Sequence, residues 1–184
     1  MGWLALGLLF ALVVFWAVGA YNRLMRLRAE VLRQWGTVDT VWLKWLMRFQ
    51  GAVSARQILA WASEADDLQV LQEASDALIE SLAEARQQAL DEASLRTLLD
   101  RHQALMACID AVAERVPETL RPHLQSARAR IVQNIPPALV PYHTAVEAYN
   151  LALSQAPARW LAHALRLRPA LPLAWSEQRS GALT

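Results

Sequence analysis

Cysteine is nearly absent from this chain: Cys108 stands alone among 184 residues. One thiol closes no internal disulfide and builds no multi-cysteine zinc site. Glycine is scarce as well. Its six positions are 2, 7, 19, 36, 51 and 181, so residues 52 to 180 contain none. Tight hairpin turns draw on residues that tolerate positive φ, and neither Asn-Gly nor Asp-Gly occurs here. All eight prolines lie at or beyond Pro117, which leaves the first 116 residues free to form long helices. Lysine is reduced to Lys44 beside 17 arginines, and residues 1–21 carry no charged side chain. These absences exclude a disulfide-knit domain and disfavour a sheet. Ala, Leu, Arg, Glu and Gln dominate instead, and they lose little on entering a helix. The expected fold class is all-α, one domain behind one membrane segment.

Residues 1–21 hold 18 apolar residues and three glycines. As a helix they reach about 32 Å, against a hydrocarbon core of about 30 Å. Trp3, Trp16 and Tyr21 sit near the two ends, where amphipathic rings favour the headgroup level. Val18-Gly19-Ala20 offers a small-residue cleavage site, which makes a removed signal peptide the rival reading. No basic residue precedes the apolar run, however, and the run exceeds a normal signal core, so a retained transmembrane anchor is expected. Arg23, Arg26 and Arg28 follow at once and place the next segment in the cytoplasm by the positive-inside rule.

From Leu24 the apolar positions Leu24, Leu27, Val31, Trp35, Val38, Trp42, Trp45 and Phe49 recur at steps of three and four. That is a helical seam, and nothing before it would stop the membrane helix from continuing into it. Gly51 near Ser54 offers a break. Ser63 to Asp66 reads as a capping box before a seam from Leu71 to Ala89. The cluster Asp91-Glu92-Ala93-Ser94 reads as a turn, and Leu95 to Val116 form another seam that Pro117 ends. Leu120 to Ile131 form a shorter helical stretch that Pro136-Pro137 is expected to interrupt. Leu139, Tyr142, Val146, Tyr149, Leu153 and Ala156 make the last seam, closed by Pro157. The architecture expected is an anchor at 1–21, an antiparallel up-and-down bundle of about four helices at 22–156, and a basic, aromatic tail at 157–184. Trp160, Leu161, Leu165 and Trp175 among Arg159, Arg166 and Arg168 suit either a segment at the membrane interface or a short helix capping the bundle.

Charge is uneven along the chain. Residues 22–56 sum to +5, residues 57–118 to −9 and residues 119–184 to +5. An acidic middle between basic ends suggests antiparallel helices with complementary faces, or ordinary solvated ones. It argues against nucleic acid as a partner, which needs one continuous basic footprint.

Two stretches carry a resemblance. The first is Tyr21-Asn22-Arg23-Leu24, continuing through Leu27-Arg28 and Val31 to Trp35, Val38-Asp39 and Leu43-Lys44. The second is Tyr142-His143, Val146, Tyr149-Asn150, Leu153, Ala156-Pro157 and Arg168-Pro169. They resemble the opening and closing patterns of the LemA family of membrane-anchored helical proteins, with His143 in place of an asparagine and Ala156 in place of an aromatic residue. The resemblance, to a divergent member, implies a long-helix bundle on one span of the bacterial inner membrane, cytoplasmic or periplasmic, with no established enzymatic activity. Tyr142 and Tyr149 share a heptad position, so both rings can enter one inter-helix groove while their hydroxyls reach polar partners. Asn150 beside them can fix register by a buried hydrogen bond. Asp39 either pairs with a base on another helix or faces water.

Catalytic signatures are missing: no H-E-x-x-H, no G-x-S-x-G, no phosphate-binding glycine loop. His102, His123, His143 and His163 fall on separate predicted elements, and His102 reads as a core histidine. Cys108 reads as a small hydrophobe. No cofactor is expected, and no enzyme. The leading expectation is a non-enzymatic scaffold or interaction protein at the inner membrane, associating with the bilayer and with a protein partner or itself. The alternatives are a lipid-engaging or signal-coupling module and, more remotely, an enzyme with a helical active site.

Overall fold

The computed structural model describes residues 2–57, 62–156 and 158–173. Among them are five α-helices and no strand: α1 Gly2–Gln57, α2 Ala62–Gln87, α3 Glu92–Arg115, α4 Arg121–Ser154 and α5 Ala158–Ala164. The N-terminal part of α1 is long and apolar enough to cross a membrane, and none of its most apolar window is buried. At Leu24 the same helix changes character. Leu24, Val31, Trp35, Val38, Trp42, Trp45, Phe49 and Val53 are buried, so a helix apolar all round becomes amphipathic without a break.

Gly51 does not end α1, which runs on to Gln57. One glycine costs a helix about 0.5–1 kcal/mol, and burying Val53 two residues later returns more, about 1.5–3 kcal/mol. The expected cap at Ser63 is also displaced, since α2 begins at Ala62 and Ser63 lies inside its first turn. Asp91 does start α3, accepting from the Ser94 amide at 3.1 Å. That backbone bond holds its carboxyl below the usual carboxylate range. Leu95, Leu98, His102, Leu105, Ile109, Val112 and Val116 are all buried, and α3 stops just before Pro117.

The expected interruption at Pro136-Pro137 does not occur. The helix α4 spans 34 residues with Pro136, Pro137 and Pro141 inside it. Each proline removes one backbone bond, at about 3 kcal/mol or more in a helix interior. Pro137 and Pro141 face solvent, while Ile131, Ile135, Leu139 and Tyr142 on the opposite side are all buried. Four large side chains withdrawn from water, at about 1.5–3 kcal/mol each, offset a cost of that size. Tertiary burial overrides the local rule.

Residue pairs fix the direction of each helix against its neighbours. Asp39 of α1 receives both Nε and Nη2 of Arg86 at 3.0 Å, and Gln50 donates to Ser75 at 3.2 Å, so α2 runs back along α1. Asp67 and Arg115, 2.8 Å apart, join the start of α2 to the end of α3. Arg121 donates to the Ala113 carbonyl and Arg128 meets Asp110, which sets α4 against α3. Trp45 Nε1 donates to the Ala127 carbonyl at 2.8 Å, while Trp35 lies 5.9 Å from Tyr142 between ring centres. The last long helix therefore returns along the first. Among the described residues, the inter-helix ion pairs Arg86–Asp39 and Arg128–Asp110 both join a basic end of the sequence to its acidic middle, but only in the second does the basic end supply the base. The two basic segments lie against each other instead.

His102 packs on Trp42 with ring centres 5.6 Å apart, and the indole Nε1 donates to its Nδ1 at 3.4 Å. Burial pushes its pKa down to about 4.

Two tests follow from this packing. No atom lies within 4 Å of a Cβ added at Gly51, so Gly51→Ala should raise stability by about 0.5–1 kcal/mol in denaturant titrations of the detergent-solubilised chain. A loss of stability would mean that the helix bends there. The second concerns pH. Unfolded His102 takes a proton near pH 6.5 and folded His102 only near 4, so its contribution is complete above pH 6.5 and falls as the pH drops towards 4. Between pH 7.5 and 4.5 wild type should lose about 2–3 kcal/mol more than His102→Gln, which keeps an acceptor but does not titrate. Parallel pH profiles would put the imidazole in water.

Candidate functional site

Beyond α5 the chain turns sharply. Arg166 has φ 51°, with its amide bonded to His163 O and the Leu167 amide to Ala162 O, a helix-ending motif usually closed by glycine. Residues 167–173 then run back along α4 as a strap. Tyr149 Oη donates to Arg168 O at 3.2 Å and Tyr142 Oη to Leu171 O at 2.8 Å. His143 Nε2 donates to Leu173 O at 2.8 Å. Asn150 makes two bonds to one residue, donating to Ala170 O at 2.8 Å and accepting the Ala170 amide at 2.9 Å. Pro169 and Pro172 have no amide to satisfy, while Ala170 and Leu173 are buried. Burial pushes the Tyr142 hydroxyl up to about 12 and raises that of Tyr149, so both stay protonated and donate.

The heptad tyrosines thus enter the bundle, and Asn150 does set a register. The partner is the chain's own C-terminal backbone, which sequence reasoning missed. The available signal was Pro169 and Pro172, two residues that suit an extended segment needing few donors. Of the other motif residues, Trp35 is buried between Trp42 and Tyr142, although its Nε1 meets no acceptor among the described residues. Asp39 holds Arg86. Tyr21 and Asn22 are exposed at the end of the apolar stretch. Pro157 and Trp175 lie outside the described residues. Near that stretch, Leu24 packs with Ala152 and Ala158, and Trp160 meets Trp16 edge-on with centres 6.5 Å apart.

The far end of the bundle carries a second feature. Where the end of α1 meets the start of α4, a cavity of about 620 Å³ opens between them. Trp45 and Phe49, stacked 5.1 Å apart, form its floor with Val53 and Leu124. Lys44, Arg48 and Arg56 line it from α1, and His123 and Arg130 from α4, with no carboxylate among the described lining residues. None of these five joins an ion pair among the described residues, whereas Arg33, Arg86, Arg96, Arg115, Arg121 and Arg128 all do. The sequence carried a signal for half of it: Lys44, Arg48 and Arg56 are spaced by four and eight, beside Trp45 and Phe49. That α4 would supply the other wall was not visible.

Elsewhere the ionisable groups stay apart. No three His, Cys, Asp or Glu side chains among the described residues are placed to hold a metal. Cys108 is half-buried and burial holds its thiol up, away from the nucleophilic thiolate. Compared with known proteins, the chain matches no family model, no curated protein and no solved structure.

Removing the two-point clasp should free the strap while leaving the bundle folded. In Asn150→Ala the Ala170 amide should exchange with deuterium at least ~10-fold faster, for a stability loss of about 1–3 kcal/mol. Tyr149→Ala, which deletes a fully buried ring, should cost more, about 3–5 kcal/mol. Equal effects of the two would show that the ring lies outside the core.

Proposed function

We propose that the protein is a non-enzymatic scaffold or interaction protein held at the bacterial inner membrane by α1, with α1 to α4 arranged as an antiparallel up-and-down four-helix bundle. The observation that carries this reading is the burial pattern along α1. Residues 3–16 expose Trp3, Phe10, Phe15 and several leucines, which need a hydrophobic surrounding, and the same helix then buries one face from Leu24 onward. An unbroken helix of 56 residues, about 84 Å, couples anchor and bundle rigidly. Arginines at 23, 26 and 28 support a cytoplasmic bundle. The Tyr-Asn pattern and its clasp of the C-terminal strap support divergent membership of the LemA family. Partners on this reading are the bilayer and a protein, or a second copy.

A lipid-engaging role is the second reading, favoured by one contact. Trp160 of α5 sits against Trp16 of the apolar stretch, which brings Arg159 to the level of the headgroups together with Arg23.

Alkaline extraction separates anchored from peripheral protein. The full chain should remain with the membrane pellet and begin at its first residues by N-terminal sequencing. Deleting residues 2–21 should release it. A mature N-terminus at Tyr21 overturns the anchor. If the shortened chain floats with phosphatidylglycerol vesicles but not with phosphatidylcholine ones, the second reading gains over the first.

A further inference from the structure

We infer that the cavity between the ends of α1 and α4 binds a single-chain anionic amphiphile of the fatty-acid class. The charge and shape of the cavity are independent of the scaffold reading, while its height above a bilayer rests on residues 2–21 being the membrane anchor of that reading. Three observations converge on this ligand. The first is charge. Lys44, Arg48, Arg56 and Arg130 surround the opening without an ion-pair partner among the described residues, although the chain as a whole is nearly neutral at +1. Four cations clustered at one cavity raise the local concentration of an anion, and guanidinium groups suit a carboxylate or phosphate head in particular.

The second is shape. A volume of about 620 Å³ lies within the range of small-molecule sites. The stacked pair Trp45 and Phe49 lines the cavity at only 7% and 4% exposure, so the rings present narrow edges to it and the half-buried Val41 and Ala127 widen the apolar surface. A partner's amphipathic helix would need an open apolar strip on which to lie. An alkyl chain needs only a narrow one.

The third is position. Val41, at the near end of the cavity, is 18 residues beyond Arg23, about 27 Å further along α1. A phospholipid still embedded in the bilayer does not reach that height. The ligand is therefore a monomer that has left the membrane or never entered it. Its chain lies over Trp45 and Phe49, and its head meets Arg48 and Arg130.

Photolabelling of the full-length protein in phosphatidylcholine nanodiscs tests this, with a diazirine-bearing palmitate as the probe and mass spectrometry to map the adducts. Adducts are expected on peptides spanning 41–56 and 120–134, apart from any on residues 2–21 that report the bilayer. Dodecyl phosphate should suppress the cavity adducts about tenfold, while dodecyl maltoside and inorganic phosphate should not. Arg48→Glu combined with Arg130→Glu should lower them about tenfold with an unchanged circular dichroism spectrum. Arg101→Glu, an exposed cation on α3, should leave them intact, and Arg48→Lys should retain most of them. Adducts confined to residues 2–21 overturn the inference. So does equal suppression by the maltoside, which would make the site merely apolar, or by inorganic phosphate, which would make it merely anionic.

Discussion

The packing of α1 against α4 is the constraint on which the other features depend. These two helices are the longest in the molecule, and Trp35, Trp42 and Trp45 of the first meet the inward face of the second or the histidine beside it. Because they run antiparallel, the half of α1 next to the apolar stretch faces the end of α4, and the distal half faces its beginning. The strap can then fold back over Tyr142 and Tyr149 near one end. At the other end, two segments that are each strongly basic become neighbours. Like charges placed together repel, and the arrangement is tolerable because the side chains point to solvent around an opening where water screens them.

Several local costs are accepted to maintain that contact. Three prolines interrupt the hydrogen bonding of α4, the Trp35 indole meets no acceptor among the described residues, and His102 is kept neutral by burial. Arg166 occupies a backbone region that favours glycine. Each costs on the order of 1–3 kcal/mol, comparable with the burial of one large side chain. They survive because the seams on either side are continuous.

The two ends of the rod consequently differ in chemistry. Near the apolar stretch the surface presents Trp16, Trp160 and arginines, and it is closed by the small residues Ala152 and Ala158. At the distal end an apolar cavity opens beneath cations that join no ion pair among the described residues. A stiff helix holds the cavity at a set distance from the apolar stretch, with Val41 about 27 Å beyond Arg23 along α1. The strap closes the α4 side through bonds from the Tyr142, Tyr149 and Asn150 side chains to its own main chain, so its register is set by those three residues and not by the side chains of the strap.

Helix content, the membrane-length apolar segment and the seams were legible because their information is local. Steps of three and four place Leu24 to Phe49 and Leu95 to Val116 on single faces, and nearly all of these positions are buried. Pro117 and Asp91 marked real boundaries by local backbone chemistry. Gly51 and Pro136-Pro137 misled because the same local rules carry penalties of a few kcal/mol, which burial elsewhere offsets. The clasp was half legible. Tyr142, Tyr149 and Asn150 announced polar reach into a groove, but the acceptors are backbone carbonyls of a segment some twenty to thirty residues later, and carbonyls carry no sequence signature. The distal cavity was legible least. Lys44, Arg48 and Arg56 lie far in sequence from His123 and Arg130, and only the return of α4 along α1 turns two unremarkable basic stripes into the walls of one site. Sequence alone determined that the chain is helical and which faces are apolar, because those follow from composition and from spacing along one chain segment. Tertiary structure alone decided which faces meet, because that depends on burial summed over the whole bundle.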